Sequence, residues 1–210
     1  MSGSIFSKAS KSGPIQSQIL LKFFVRKQDL RWIDVIFSCA LVLLSGCATQ
    51  IDGPFANARL TPTKGNTTTG LVTFKTIGSK VLVTAEIQGL KPNAEHGFHV
   101  HEKGDCSSGD GMSTGGHFNP SGKAHGAHGS SAHHAGDLPS LVADKNGNAK
   151  LSFETSAITV DSGTTDIVGR GLIVHRDPDD YKTQPTGNAG PRLACAMIVK
   201  AMPGSMNYKY

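Results

Sequence analysis

The sequence predicts an all-β fold, an antiparallel sandwich or barrel, and two observations indicate it. Short runs of alternating apolar and polar residues recur along the chain, and no segment of ten residues has the 3.6-residue period of a helix. Glycine is also frequent. Three of the 25 glycines precede Cys47, which leaves 22 among 164 residues, about 13% against a usual ~7%. This composition points to turns and loops and argues against a helical bundle or a coiled coil.

The first 46 residues differ from the rest and are predicted to be an export signal. A basic segment over 22–31 precedes a short apolar run over 35–44. The run ends in Leu44-Ser45-Gly46-Cys47, which resembles the bacterial lipoprotein box, where the cysteine is acylated and becomes the new N-terminus. A plain secretory signal with a chance cysteine is the alternative. With Ala48 after the cysteine, the resemblance implies a periplasmic protein anchored to the outer membrane through Cys47.

Most of the net charge of +5 belongs to this leader. It holds six of the 21 Lys and Arg and two of the 16 Asp and Glu, so 15 basic and 14 acidic residues remain. A nearly neutral domain gives no reason to expect nucleic acid as a partner. No apolar run approaches the ~20 residues that a spanning helix needs, which argues against an integral membrane protein. Monomer and homodimer both stay open.

Six segments after the leader are predicted to be strands. They are 70–76, 80–88, 97–102, 149–154, 171–176 and 193–200. The quartets Ile77-Gly78-Ser79-Lys80 and Lys145-Asn146-Gly147-Asn148 are typical of hairpin turns. Between the strands lie a polar stretch of 36 residues, Lys103 to Leu138, and a shorter one, Asp177 to Pro191. A loop as long as the first is usually functional or disordered.

The four cysteines divide between the leader and the exported domain. Cys39 would be removed with the signal, and Cys47 would carry lipid, which leaves Cys106 and Cys195. Two cysteines in an exported domain are most simply joined in one disulfide. Two free buried thiols are the alternative.

Histidines are concentrated in one part of the chain, with eight of the nine between residues 96 and 134. His99 and His101 lie two residues apart on a predicted strand and therefore point to the same face, which makes half a metal site. His175 lies on another predicted strand. The long loop adds His117, His125, His128, His133, His134 and Asp137. A loose metal-scavenging tract would not explain ligands on two strands.

These motifs resemble the copper,zinc superoxide dismutases, in their bacterial exported branch, from about Thr68 to Val199. The motifs are Gly97-Phe98-His99-Val100-His101-Glu102, Gly116-His117-Phe118-Asn119-Pro120, His134-Ala135-Gly136-Asp137-Leu138, Val174-His175, Gly187-Asn188-Ala189-Gly190 and Arg192-Leu193-Ala194-Cys195. The resemblance implies a Greek-key sandwich or barrel with long metal-binding and electrostatic loops. The implied organisation is an export signal over 1–46, a tether and first strand over 47–67, and the dismutase domain over 68–210.

The resemblance further implies a centre with two metals. Position by position, the copper ligands would be His99, His101, His117 and His175, and the zinc ligands would be His117, His125, His134 and Asp137. His117 would bridge the two metals as an imidazolate. His128 and His133 match no family ligand and are expected to be exposed. His96 matches a position that is structural in the family.

Two other residues gain a role from the resemblance. Asp179 would accept hydrogen bonds from the far nitrogens of His99 and His125, the alternative being an exposed loop carboxylate. Arg192 would stand beside the open copper face and attract the anionic substrate with help from Lys182, the alternative being a surface salt bridge.

The implied activity is the dismutation of superoxide to dioxygen and hydrogen peroxide, with copper changing its oxidation state and zinc structural. A non-catalytic periplasmic copper/zinc-binding lipoprotein is the alternative, and it would need the ligands but not Arg192. Two residues depart from the family pattern. Pro191 is expected to restrict Gly190 to extended conformations, and Ala196 is expected to crowd a strand contact where the family has glycine.

Overall fold

Ten strands and one short 3-10 helix are formed by residues 53–201, the part of the chain that the computed structural model describes. They are β1 (Phe55–Pro62), β2 (Thr69–Ile77), β3 (Lys80–Gln88), β4 (Glu95–His96), β5 (Phe98–His101), η1 (Met112–Thr114), β6 (Leu141–Val142), β7 (Ala149–Thr155), β8 (Gly171–His175), β9 (Arg192–Met197) and β10 (Val199–Ala201). Within that range no helix has the length and apolar character needed to cross a membrane. The export signal predicted over 1–46 and the acylated Cys47 lie outside the described residues.

Eight of these strands form one curled antiparallel sheet in the order β5-β8-β9-β1-β2-β3-β7, with β10 paired to β1. β1 pairs with β2 along most of its length, with β10 near its start and with β9 at its end. The short strands β4 and β6 pair with each other. This architecture confirms the predicted all-β class and is that of a Greek-key barrel.

Period-two burial explains why the strands form where they do. On β3, Val81, Val83, Ala85 and Ile87 are buried, whereas the residues between them are exposed or half-buried. β5 and β8 are instead buried throughout, because their core face packs in the barrel and their other face is covered by loops. Phe98 and Val100 of β5 join the apolar core, as the sequence predicts.

Predicted and observed strands agree within one residue at five of the six positions. The sixth, 193–200, is divided at Ile198 into β9 and β10. The turn around Gly78 closes the β2–β3 hairpin, in which Ile77 pairs with Lys80. The turn at 145–148 is closed by the Asp144 amide donating to the Asn148 carbonyl (2.8 Å), but it does not make a hairpin of paired strands, because β6 pairs with β4.

The long loop over 103–138 lies against β5. The Val100 amide donates to the Gly136 carbonyl (2.9 Å), and the Phe118 amide donates to the Val100 carbonyl (2.8 Å). A disulfide between Cys106 and Cys195 ties the start of this loop to β9, with the two Cα atoms 6.0 Å apart. Main-chain hydrogen bonds thus hold the loop against β5, and the disulfide holds its first residues against β9.

Candidate metal centre

Two groups of four buried side chains meet beside β5. The copper-type set is His99, His101, His117 and His175, and the zinc-type set is His117, His125, His134 and Asp137. Within each set the potential ligand atoms all lie within 4.8 Å of one another. His117 belongs to both sets, and the membership of each is the one that the family resemblance implies.

Neighbouring strands and the long loop position these residues. His99 and His101 project from β5 on the face opposite Phe98 and Val100, and His175 ends β8, the strand that pairs with β5. Bridge pairings along the free edge of β5 place His117 opposite His101 and Asp137 opposite His99. His117 and Asp137 of the loop therefore reach the site by pairing with the edge of β5.

In the copper-type set, three histidines each use one ring nitrogen to donate to an oxygen. His99 Nε2 contacts Asp179 Oδ2 (2.7 Å), His101 Nδ1 contacts the Gly115 carbonyl (2.9 Å), and His175 Nδ1 contacts the Gly190 carbonyl (3.1 Å). The other nitrogens converge, with His101 Nε2 only 3.4 Å from His175 Nε2. These contacts fix the tautomers, so that one lone pair of each ring faces the centre.

Asp137 lies at the middle of the zinc-type set. Its Oδ1 is 2.9 Å from His117 Nδ1 and 3.4 Å from His134 Nδ1, and its Oδ2 is 3.0 Å from His125 Nδ1. Main-chain amides of Gly126 and His134 also donate to Oδ2, at 3.2 and 2.8 Å. Three imidazole nitrogens and one carboxylate oxygen thus lie close enough together to bind one ion.

The unsatisfied atoms show that the residues fit metal ions. Among the described residues, six buried side-chain polar atoms lack a hydrogen-bond partner, and four belong to these two sets: His99 Nδ1, His117 Nε2, His125 Nδ1 and His134 Nδ1. Buried polar atoms are normally paired, so four unpaired histidine nitrogens in one place indicate atoms that bind metal ions. Four imidazoles suit Cu(II), and a set of three nitrogens with one carboxylate oxygen suits Zn²⁺.

Electrostatics keep three of the copper-type histidines and Asp137 in metal-binding protonation states. Burial lowers the pKa of His99 to about 4, although Asp179 opposes the shift, and burial takes the pKa values of His101 and His175 well below the usual range. Burial alone would raise the pKa of Asp137, but the hydrogen bond from His117 and the close contact with the His125 ring hold it well below its ordinary value. Neutral imidazoles and an ionised carboxylate are the forms that bind metals.

Asp179 connects the two sets. Its Oδ2 accepts from His99 Nε2, and its Oδ1 accepts from His125 Nε2 (2.9 Å) and from the Tyr181 amide (2.7 Å). Burial opposes protonation of His125, but the carboxylates Asp137 and Asp179 outweigh it and raise the pKa of His125 to about 9. Gly187 lies against this cluster with φ 65°, and a Cβ there would collide with Asp179 Oδ1.

Arg192 is half-buried and lies opposite His175 in the β8–β9 ladder. Its guanidinium donates to the Gly111 carbonyl, to Thr114 Oγ1 (2.6 Å) and to the Gly115 carbonyl (2.8 Å). The Gly115 carbonyl also accepts from His101 Nδ1, so Arg192 and His101 share one acceptor. Arg192 is therefore anchored beside the copper-type set rather than in a surface salt bridge.

The prediction that Pro191 holds Gly190 extended is wrong, since φ of Gly190 is 74°. A proline ring conflicts with the Cβ of the preceding residue, which glycine lacks. A Cβ on Gly190 would also collide with the carboxylate of Asp177. The other departure, Ala196, is buried in the core opposite Leu172.

Three histidines lie outside the two sets. His96 is fully buried, and its Nδ1 is 2.9 Å from the His175 carbonyl, in keeping with a structural role. His128 and His133 are half-buried, so the prediction that they are exposed is wrong. Both are held by main-chain carbonyls, of Asp137 and His134 respectively, and His128 packs edge-on against Phe153.

Sequence reasoning missed two residues that support the site. Gln184 accepts from the His125 amide (2.8 Å) and donates to the His125 carbonyl (3.0 Å). Tyr181 reaches Ser140 and Glu95 with its hydroxyl, at 2.6 and 3.1 Å. No local pattern could have indicated either contact, because each joins segments more than 40 residues apart.

Comparisons with known proteins agree with this geometry. The family model for copper/zinc superoxide dismutase matches residues 68–198. Superoxide dismutase [Cu-Zn] of Paramecium bursaria Chlorella virus 1 is 48% identical over 135 residues, 61% of this chain and 71% of that protein. Superoxide dismutase [Cu-Zn] 2 of Aquifex aeolicus is 40% identical over 165 residues, 74% of this chain and 96% of that protein.

A solved structure supports the same relationship. The crystal structure of the clock protein EA4 is 42% identical to this chain and superposes with a TM-score of 0.64, covering 70% of this chain and 94% of that one. The similarity thus extends over almost the whole length of a solved relative. The chain belongs to the copper/zinc superoxide dismutase family, enzymes that dismutate superoxide and have copper and zinc as cofactors.

Proposed function

We propose that this superoxide dismutase works at a copper site and a zinc site joined through His117. The observation that carries the proposal is the position of His117 in both ligand sets. Its Nδ1 is 2.9 Å from Asp137 Oδ1 in the zinc-type set, and its Nε2 is a buried atom without a hydrogen-bond partner. An imidazole that faces a different set with each nitrogen can serve both metals once its proton is lost.

In this proposal His99, His101, His117 and His175 hold copper, and His117, His125, His134 and Asp137 hold zinc. When bound, copper supplies a one-electron couple that lets two superoxide anions and two protons become dioxygen and hydrogen peroxide. The zinc-type set is closed and buried, as structural zinc sites are, and it orders the long loop over 103–138, which carries all four of its ligands.

The protein supplies orientation, charge and a proton. Asp179 fixes the rings of His99 and His125 through their outer nitrogens. Arg192 presents a fixed cation beside the copper-type set and draws in the superoxide anion, and Lys182 adds exposed positive charge in the second loop. Steering of superoxide by such charges is a known property of this family. His117 Nε2 accepts one of the two protons and returns it to the reduced oxygen species.

The location belongs to the same proposal. The basic segment over 22–31, the apolar run over 35–44 and the quartet ending in Cys47 support an exported lipoprotein of the bacterial branch. The enzyme would then work in the periplasm, anchored to the outer membrane. Its disulfide is consistent with an oxidising compartment.

The bridging role is tested by His117→Ala. Wild type loaded with both metals is expected to hold one copper and one zinc per chain and to dismutate superoxide. The variant is expected to lose dismutation while keeping part of its copper on the other three histidines, because only one copper ligand is removed. Metal analysis and the rate of superoxide decay are measured on the same samples. Near-normal decay in a variant that contains both metals would contradict the bridged site.

A further inference from the structure

A second histidine pair, His128 and His133, lies outside both ligand sets. The two side chains are half-buried and line a cavity of about 500 Å³ beside the end of β7. Other lining residues are Lys80, Ser121, Lys123, Glu154 and Thr165. Neither histidine has a part in the dismutation proposed above.

The geometry of this pair matches that of two proposed zinc ligands. The ring centroids of His128 and His133 are 5.4 Å apart, and the ring planes are inclined by 57°. For His125 and His134 the corresponding values are 5.5 Å and 56°. His128 and His133 therefore have the ring spacing and inclination of that proposed ligand pair, although His125 and His134 face Asp137 with their Nδ1 atoms.

Hydrogen bonds fix which nitrogen of each ring is free. His128 Nδ1 donates to the Asp137 carbonyl (2.8 Å), and His133 Nδ1 donates to the His134 carbonyl (2.7 Å). Since a carbonyl can only accept, each neutral ring carries its lone pair on Nε2. Neither Nε2 has a hydrogen-bond partner among residues 53–201. A carbonyl acceptor behind the ring is the usual support of a metal-binding histidine, and His101 and His175 have one too.

We propose that His128 and His133 form a third metal site, which binds Zn²⁺ or Cu²⁺ through their Nε2 atoms. Imidazole nitrogens suit both ions, and the open cavity leaves the remaining coordination positions to water. Two protein ligands make the bound ion exchangeable, unlike an ion enclosed by four.

The charges around the cavity set the strength of the site. Two lysines line the cavity. Lys80 is paired with Glu154 at 3.2 Å, whereas Lys123 has no ion pair among the described residues. A positive charge near a bound cation weakens binding. Removing the charge of Lys123 is therefore expected to strengthen metal binding, in the opposite direction to the loss of either histidine.

The site is tested on enzyme that already holds one copper and one zinc per chain. Equilibrium dialysis against Zn²⁺ is expected to add one further zinc per chain, and titration with Cu²⁺ is expected to add one signal with nitrogen couplings in the electron paramagnetic resonance spectrum. His133→Ala and His128→Ala should each weaken this binding roughly 10- to 100-fold. Lys123→Ala should bind the added ion more tightly than wild type, and Ser121→Ala should bind it equally.

Two results would overturn the third site. One is the absence of an additional ion in wild type, and the other is equal binding of that ion in both histidine variants, which would place it elsewhere on the chain. If His128→Ala disturbs the packing against Phe153, His133→Ala decides alone, because the His133 side chain bonds only to a neighbouring carbonyl. The resident metals have other ligands, so failure of this site would leave the proposed dismutation untouched.

Discussion

At the scale of single residues, Asp179 determines how the two ligand sets are held together. It comes from the loop after β8, yet its oxygens meet histidines from β5 and from the long loop, 80 and 54 residues away in sequence. A carboxylate between two imidazoles fixes both rings and keeps their inner nitrogens directed at the metals. The side chain thus contacts a member of each ligand set, and in the proposed centre it would act on both sites without being a ligand of either.

Asp179→Asn tests this coupling. The amide keeps the size of the side chain but replaces one acceptor oxygen with a donor, so His99 or His125 loses its partner. We expect affinity for copper and zinc to fall roughly 10- to 100-fold, measured by competition with chelators. Asp180→Asn is the matched control, because its carboxylate bonds only to Lys182 and Thr183 within its own loop. Unchanged affinities for both metals in Asp179→Asn would show that the rings are held by packing alone.

In the proposed mechanism Arg192, unlike Asp179, acts through its charge. Arg192→Glu is expected to lower the bimolecular rate far more than the metal content, since no ligand is lost. Added salt should slow the wild type and slow the variant less or even speed it, because the Debye length falls from ~10 Å at 0.1 M to ~3 Å at 1 M. Stopped-flow measurement of superoxide decay across that range gives both salt slopes.

Arg192→Lys is the control for the charge reversal. It keeps the positive charge but cannot make the three donations to Gly111, Thr114 and Gly115. Its salt slope should stay close to that of wild type even if its absolute rate falls. Identical slopes for Arg192→Glu and wild type would assign the steering to other charges.

At the scale of elements, the strands were predictable and the contacts between loops were not. The alternation in 80–88 predicted β3 to the residue, because a strand with one face in the core must repeat every two residues. The two-residue strands β4 and β6 are too short to have a period. The ligand sets could be carried over from family motifs, whereas Gln184 against His125 is a contact between loops that no periodicity encodes.

Among the contacts between elements, the disulfide is the one whose removal has the clearest expected effect on stability. It joins residues 89 apart and fixes the segment whose carbonyls hold Arg192. Removing a native disulfide from a small secreted domain typically costs about 2–5 kcal/mol. We expect the Cys106→Ser, Cys195→Ser double variant to unfold at a lower temperature in calorimetry, at matched copper and zinc content, and to dismutate more slowly because the Arg192 anchor loosens.

The matched metal content is essential to that comparison, because an ion bound only by the folded state adds stability of its own. Chemically reduced wild type provides the control, since it lacks the bond but keeps both cysteines. It should unfold at a temperature close to that of the double variant. If both proteins unfold at the same temperature as oxidised wild type, the start of the long loop around Cys106 is held without help from the disulfide.

At the scale of the whole molecule, most of the net charge and the proposed export signal lie in the first 46 residues, and the ligand sets lie in the barrel. The leader carries four of the five net positive charges, whereas all nine histidines lie beyond Cys47. The ligand sets occupy β5, β8 and the long loop over 103–138, and the β2–β3 hairpin contributes no ligand to either set. If the proposed export signal sets the location, we expect that location and catalysis can be changed separately, by substitutions in different parts of the chain.

Cys47→Ser tests the location. If Cys47 is acylated, each buried CH₂ of its acyl chains adds ~0.8 kcal/mol to membrane binding, so the wild type should partition into the detergent phase. The variant should appear in the aqueous phase or stay unprocessed, because serine has no thiol to acylate. Its dismutation rate should be normal, since every proposed ligand lies at or beyond His99. Cys39→Ser is the matched control and should still be anchored, because residue 39 would be removed with the proposed signal. Mass spectrometry of the mature N-terminus completes the comparison. If the wild-type protein carries no lipid and begins at another residue, a plain secretory signal is the explanation of the first 46 residues.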